Sequence, residues 1–198
     1  AKDMGMPAVA ITDHGALYGA FKFFIKAKDA GIKPIIGCEV YKVDDMHNKT
    51  GDKREPYHLV LLAKNLQGYK NLLQIVSASN LDGFLDKPRV DFALLEKFNE
   101  GIIALSGCIR GELPTLLLEN QTQAVEKAVT RYAEIFKDRF YLEIQRHPSI
   151  EDQERANEGL VALSRRHGLP LVASNDVHYI DKEDAYAQEI VLCIQTGR

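Results

Sequence analysis

Short runs of aliphatic and β-branched residues alternate along this chain with amphipathic segments of helical length. Such alternation is typical of strand and helix units that build a largely parallel sheet. The pattern predicts six strands, near 7–12, 33–42, 58–63, 101–106, 139–145 and 169–174. Helices are predicted over 17–30, 66–79, 91–98, 112–118, 122–137, 151–167 and 182–195. Gly31 and Gly168 directly follow two of these helices, where a left-handed residue is favoured.

Length and composition narrow the class of protein. The 198 residues are 45% apolar and 27% charged, which suits one globular domain over 1–198. No apolar run approaches the roughly 20 residues of a membrane span, and the three widely spaced cysteines do not suggest a disulfide framework. We therefore expect a cytoplasmic protein. The net charge of −3 argues against a protein that coats nucleic acid, but not against a site that handles one phosphate through metals.

The number of units favours an incomplete barrel over a doubly wound sheet, because no glycine-rich phosphate loop is present. The chain begins without Met and reaches its first strand within a few residues, so we expect a fragment whose first unit lies before Ala1. The polar stretch 44–56 is predicted to be an exposed loop or a hairpin tip. His47, within it, is predicted to be a surface residue.

Metal-competent side chains lie at the ends of nearly every predicted strand. They are Asp13, His14, Glu39, His58, Cys108, Glu143, His147, Asp176 and His178. In barrels, ligands and catalytic groups gather at one rim. Imidazole, carboxylate and thiolate together suit zinc, and bridging carboxylates suit manganese or magnesium as well. The joint pattern predicts metal-assisted hydrolysis of a phosphate ester.

Taken singly, most of these residues have a simpler interpretation. Asp13 fits a helix N-cap and His14 a surface histidine. Cys108 fits a small buried hydrophobe, and Cys193 lies in an apolar helical pattern that predicts a core position. Glu39 is harder to explain in this way. Alternation places it on the strand face opposite Cys38, where a carboxylate requires a partner or a metal.

Several long blocks of the sequence carry a family resemblance. They are "MPAVAITDHGALYGAFKFFIKAKDAGIKPIIGCEVY", "HLVLLAKNLQGYKNLLQIVSAS", "GIIALSGCIRGELP", "RFYLEIQRH" and "LPLVASNDVHY". Over essentially all 198 residues the chain resembles the PHP (polymerase and histidinol phosphatase) domain of bacterial DNA polymerase III alpha subunits. The resemblance implies a distorted (β/α)7 barrel, here lacking its first strand. It also implies a cluster of up to three divalent ions (Zn, Mn or Mg).

Matched residue by residue, the resemblance assigns six metal ligands. They are His14, Glu39, His58, Cys108, Asp176 and His178. Asp13 becomes a partner that orients His14, Glu143 and His147 remain candidates near the site, and no catalytic residue is assigned. The family's first motif, an H-x-H, would precede Ala1. We therefore expect this chain alone to bind metal weakly and to have little activity. Because His58 opens its strand, it can share a rim with Glu39 only if that strand is antiparallel to its predecessor.

Three functions are compatible with these residues. The first is 3′–5′ exonuclease proofreading in a DNA polymerase whose polymerising domains follow Arg198. Its partners would be the 3′ end of the primer strand and other subunits of the replicative holoenzyme, with no membrane. The second is a catalytically silent platform for the polymerase or for a separate exonuclease subunit. The third, a histidinol-phosphatase-like phosphoesterase, is disfavoured because the quoted blocks resemble the polymerase branch more closely.

Overall fold

Strands and helices alternate along the computed structural model, which describes residues 1–50 and 55–197 apart from the side chains of residues 195 and 196. The strands are β1 (Ala8–Ile11), β2 (Lys33–Lys42), β3 (Tyr57–Ala63), β4 (Arg89–Val90), β5 (Ile102–Leu105), β6 (Phe140–Gln145) and β7 (Leu171–Ser174). The helices are α1 (Ala20–Asp29), α2 (Leu66–Leu81), α3 (Phe92–Lys97), α4 (Glu112–Leu118), α5 (Thr122–Phe136), α6 (Asp152–His167) and α7 (Ala185–Thr196). All six predicted strands and all seven predicted helices are thus confirmed, with ends shifted by a few residues.

The strands form a mixed, curled half-barrel sheet in the order β1-β2-β3-β5-β6-β7, and β4 pairs with β2. The β1–β2, β5–β6 and β6–β7 pairs are parallel. Strand β3 is antiparallel to both β2 and β5, with His58 opposite Tyr41. The antiparallel direction predicted from the position of His58 is therefore confirmed, and it brings the start of β3 to the end of β2.

Helix ends follow the local sequence. Asn65 caps α2 by accepting a 2.9 Å hydrogen bond from the Gly68 N–H, and Asp91 caps α3 by accepting one from the Leu94 N–H. Gly31 and Gly168 follow α1 and α6 with φ of +72° and +66°, as predicted. Left-handed glycine lets the chain leave the helix without Cβ strain and return to the sheet.

The core fills the space between the sheet and the helices that pack on its outer face. Its fully buried residues include Leu61, Leu72, Ile75, Phe136 and Leu142. One ion pair lies within this layer: Lys42 Nζ is 2.8 Å from Glu112 Oε1, and the Tyr132 hydroxyl donates a 2.7 Å hydrogen bond to Glu112 Oε2. This pair joins β2 to the start of α4, directly after the loop that carries Cys108.

Three details differ from the sequence analysis or complete it. Strand β4 was not predicted, because two residues carry no periodicity. Cys193 is exposed, so its predicted core position is wrong: the apolar side of α7, including Ile190 and Val191, is not covered by other described residues. In the predicted loop, His47 is exposed as expected, and residues 51–54 lie outside the described residues. No helix in the described ranges is long and apolar enough to cross a membrane.

Candidate metal centre

The end of β1 brings His14 against Glu39. Pairing between the two segments continues past β1: the Glu39 N–H donates to the Asp13 carbonyl (3.0 Å), and the Gly15 N–H donates to the Glu39 carbonyl (2.8 Å). Gly15 has φ of +61°, and a Cβ there would meet the Pro88 ring. This local path places His14 Nδ1 3.2 Å from Glu39 Oε1.

Strand β3 and the loop after β5 supply the next two predicted ligands. His58 Nδ1 lies 2.5 Å from Glu39 Oε1, and Cys108 Sγ lies 3.5 Å from His58 Nδ1. The backbone N–H of His58 donates a 3.0 Å hydrogen bond to the Arg110 carbonyl, and this bond holds the Cys108 loop against β3. Imidazole, carboxylate and thiol therefore meet where the sequence predicted them.

Asp176 and His178 follow β7 at the same rim. The rings of His14 and His178 have centroids 5.8 Å apart, and His14 and His58 are separated by the same distance. Asp176 adopts a φ of +49°, and its carbonyl lies 2.8 Å from His178 Nδ1. A left-handed non-glycine residue is uncommon, and such conformations concentrate at functional sites.

The contacts around Glu39 shift the protonation of the site. Burial acts to raise the pKa of Glu39, but His14 and His58 outweigh it and bring that pKa to about 2. The contact with the Glu39 carboxylate raises the pKa of His14. Burial raises the pKa of the Cys108 thiol to about 12. Without a cation the cluster thus holds a carboxylate beside a protonated thiol.

A second polar group lies deeper, on β6 and β7. Oε1 of Glu143 accepts hydrogen bonds from the Ser174 hydroxyl and, at 3.2 Å, from the Gln145 amide. His147 Nε2 lies 3.3 Å from Gln145 Oε1, so His147 reaches the group only through Gln145. Burial raises the pKa of Glu143. Of the two candidates near the site, Glu143 lines the cavity described next, and His147 is not among its lining residues.

Residues of both groups line one cavity of about 490 Å³, whereas His58 lies behind Glu39 and Cys108 and is not part of the lining. Its polar lining is Thr12, Asp13, His14, Glu39, Cys108, Glu143, Gln145, Ser174, Asp176 and His178. Among residues 1–50 and 55–197, no three His, Cys, Asp or Glu side chains form a ready-made site for one ion. Two buried carboxylate oxygens in this part of the chain, Glu39 Oε1 and Glu143 Oε2, nevertheless have no assigned hydrogen bond, although His14 and His58 lie within ion-pair distance of Glu39 Oε1. In donor chemistry the residues fit divalent metal.

Two further observations concern neighbours of the ligands. Helix α1 begins after Gly19, so Asp13 is not its N-cap, and in the described part of the chain no hydrogen bond joins the Asp13 and His14 side chains. The orienting role of Asp13 stays a prediction. Sequence reasoning missed Tyr41, whose ring stacks on His14 at 6.0 Å and meets His58 edge-on at 5.6 Å. Its position two residues after Glu39, on the same strand face, is the signal that could have identified it.

The chain belongs to the PHP domain family, whose profile matches residues 1–147. Its sequence is similar to DNA polymerase III subunit alpha. It is 50% identical to that of Borreliella burgdorferi, 43% to that of Thermus aquaticus and 42% to that of Treponema pallidum. These matches cover 100%, 96% and 100% of this chain, but only 17%, 16% and 17% of the respective relatives.

Two solved structures share the fold at low sequence identity. A candidate metal-dependent phosphoesterase from Bifidobacterium adolescentis superposes with a TM-score of 0.53 at 12% identity, covering 90% of this chain and 79% of that one. An amidohydrolase from Chromobacterium violaceum, with bound sulfate and no metal, gives 0.52 at 15% identity, with coverage of 89% and 79%. The half-barrel sheet is therefore shared well beyond the polymerase relatives.

Proposed function

We propose that this chain is the PHP domain of a bacterial DNA polymerase III alpha subunit and takes part in metal-dependent hydrolysis of phosphodiesters. The proposed reaction is hydrolytic removal of a mispaired nucleotide from the 3′ end of a primer. One observation carries the proposal: the Nδ1 atoms of His14 and His58 converge on one buried oxygen of Glu39, with Cys108 beside His58. The similarity to polymerase subunits supplies the substrate class.

The chain's own residues would hold divalent metal at the cavity rim. His14, His58 and Cys108 offer nitrogen and sulfur donors, while Glu39 and Asp176 offer oxygen donors and His178 lies beside His14. Bound divalent metal supplies an activated water and neutralises charge on the phosphate. The backbone hydrogen bond from His58 to Arg110 holds the Cys108 loop against β3 and positions the thiol beside His58, which limits the reorganisation that binding requires.

Electrostatics supports the same conclusion. The described residues that line the cavity include Asp13, Glu39, Glu143 and Asp176 but no lysine or arginine. A phosphodiester carries negative charge, so it is repelled from this cavity until cations neutralise the carboxylates. Hydrolysis at this site therefore depends on added divalent metal.

The larger context is part of the same proposal. The chain spans about a sixth of the length of the relatives it matches. We therefore assign polymerisation, and the contacts with other replicative subunits, to the parent protein. That parent is cytoplasmic and meets primer DNA through its polymerising domains.

The test is a 3′–5′ exonuclease assay with Mn²⁺ on paired and 3′-mispaired primers. The assay is applied to this chain and to a longer polypeptide that contains it and has the full length of the polymerase relatives. We expect metal-dependent release of nucleotides by the longer polypeptide and its loss in H58A, with H47A, an exposed histidine outside the site, as the control. Preference for histidinol phosphate over DNA would favour the stand-alone phosphatase instead.

A silent platform is the second candidate, favoured by exposed apolar side chains away from the cavity. On α1, Phe21 is 77% exposed, and on α7, Tyr186 and Ile194 are similarly exposed. Apolar patches of this kind mark contact surfaces. A metal-loaded, folded polypeptide without nuclease activity would support this platform function and refute hydrolysis.

A further inference from the structure

Glu143 is a buried carboxylate whose two oxygens have different surroundings. Its side chain extends from β6 and is only 5% exposed. Oε1 is fixed by the Ser174 hydroxyl and the Gln145 amide, whereas Oε2 has no hydrogen-bond partner among the described residues. Ser174 itself is held by Gln145 at 3.1 Å, so the three side chains form a closed group. One oxygen is thus anchored and the other is left without a partner.

The surroundings of Glu143 make an unpaired carboxylate costly. It lines the same cavity as Glu39 and Asp176, and no described lysine or arginine reaches that lining. A buried carboxylate without a partner is strongly disfavoured, and neighbouring carboxylates add repulsion. A cation in the cavity removes both penalties at once.

We propose that Glu143 is a further ligand of the metal centre, binding a divalent cation through Oε2 while Ser174 and Gln145 orient the carboxylate through Oε1. The inference rests on the proposed function, because it uses the same cavity. Ligating carboxylates are commonly held by hydrogen bonds to neighbouring side chains, as Glu143 is here.

The donor atoms also indicate which cation Glu143 binds. His58 and Cys108 offer nitrogen and sulfur on one side of the cavity. Among the described residues, the hydrogen-bond partners of Glu143 are the hydroxyl of Ser174 and the amide of Gln145, and neither is a thiol or an imidazole. Carboxylate oxygen suits Mn²⁺ or Mg²⁺, whereas thiolate and imidazole suit zinc. Glu143 therefore contributes to Mn²⁺ binding more than to Zn²⁺ binding.

The experiment is a calorimetric titration of the chain and of E143Q with Mn²⁺ and, separately, with Zn²⁺. E143Q keeps the size of the side chain and an acceptor for Ser174 and Gln145. We expect Mn²⁺ affinity to fall at least about tenfold, the scale seen when a metal site loses a supporting group, and Zn²⁺ affinity to fall much less. D91N is the matched control: Asp91 is also a buried carboxylate, but both of its oxygens accept backbone hydrogen bonds outside the cavity.

A second variant keeps the proposal testable if E143Q fails to fold. S174A removes the hydroxyl that holds Oε1, and we expect it to lower Mn²⁺ affinity in the same direction with a smaller change. Because this chain alone is expected to bind metal weakly, the same titrations are made on the longer polypeptide that carries it. Unchanged Mn²⁺ affinity in a folded E143Q, or no Mn²⁺ binding by either unsubstituted polypeptide, would overturn the proposal. Loss of Mn²⁺ affinity in E143Q without any nuclease activity in the parent protein would support the ligand and refute only the proposed hydrolysis.

Discussion

Gly107 offers a sensitive test of how the fold positions Cys108. It precedes Cys108 with φ of +83°, and a Cβ at this position would lie 2.5 Å from the His58 carbonyl oxygen. Alanine there pays about 1–2 kcal/mol for the left-handed backbone. Pushing the loop away from β3 adds about 1–3 kcal/mol, the scale of overpacking. We therefore expect G107A to lower the free energy of unfolding by about 2–5 kcal/mol.

Gly31 provides the control for this substitution. Its φ of +72° is similar, but nothing lies within 4 Å of a Cβ built there. G31A should therefore lower the free energy of unfolding only by the cost of the left-handed backbone. Urea unfolding of both variants separates the two contributions by subtraction. A cobalt titration of G107A reports whether Cys108 has moved away from His58. Equal destabilisation by G107A and G31A, with an unchanged cobalt spectrum, would refute the role assigned to the loop.

The remaining predictions concern the buried ion pair and the pH response. Y132F leaves Glu112 Oε2 without its 2.7 Å donor and should lower unfolding free energy by about 1–3 kcal/mol; an unchanged urea midpoint would contradict this. Because the pKa of His14 is raised, its contribution to stability is present below the unfolded pKa of about 6.5 and is lost as pH rises through the folded pKa. With a chelator present, the urea midpoint should therefore fall as the pH rises above about 6.5, and H14N should flatten this change. Because the pKa of Glu39 is lowered to about 2, its contribution to stability is present above the unfolded pKa of about 4.3 and is lost as the pH falls through 2. The urea midpoint should therefore fall as the pH drops below about 4.3, and E39Q should flatten this change.

Much of the architecture could be predicted because it depends on local pattern. Alternation and caps identify the strands and helices, and the placement of polar residues at strand ends identifies the rim. The direction of β3 followed from a single residue, His58, whose position at the start of a strand made sense only in an antiparallel pair.

What could not be predicted depends on contacts between distant residues. Strand β4 exists because Arg89 is buried and donates to the Gly83 and Met46 carbonyls, neither of which the local pattern indicates. The anchoring of Glu143 by Ser174 spans 31 positions of sequence, so Glu143 could be placed only near the site. The apolar pattern of α7 predicted that Cys193 is buried, which is wrong, because periodicity along a helix does not show whether another surface covers its apolar side.

The most direct test of the metal centre is titration of the chain with Co²⁺ while the thiolate-to-cobalt charge-transfer absorption is recorded. This band requires Cys108 to bind the ion as a thiolate, which a metal achieves despite a thiol pKa of about 12. We predict that the band develops in the unsubstituted chain, is lost in C108S and weakens in H58A, and is retained when the exposed Cys193 is replaced by serine. A band that persists in C108S, or no band in either the unsubstituted chain or the longer polypeptide that carries it, would contradict a metal centre formed by His14, Glu39, His58 and Cys108.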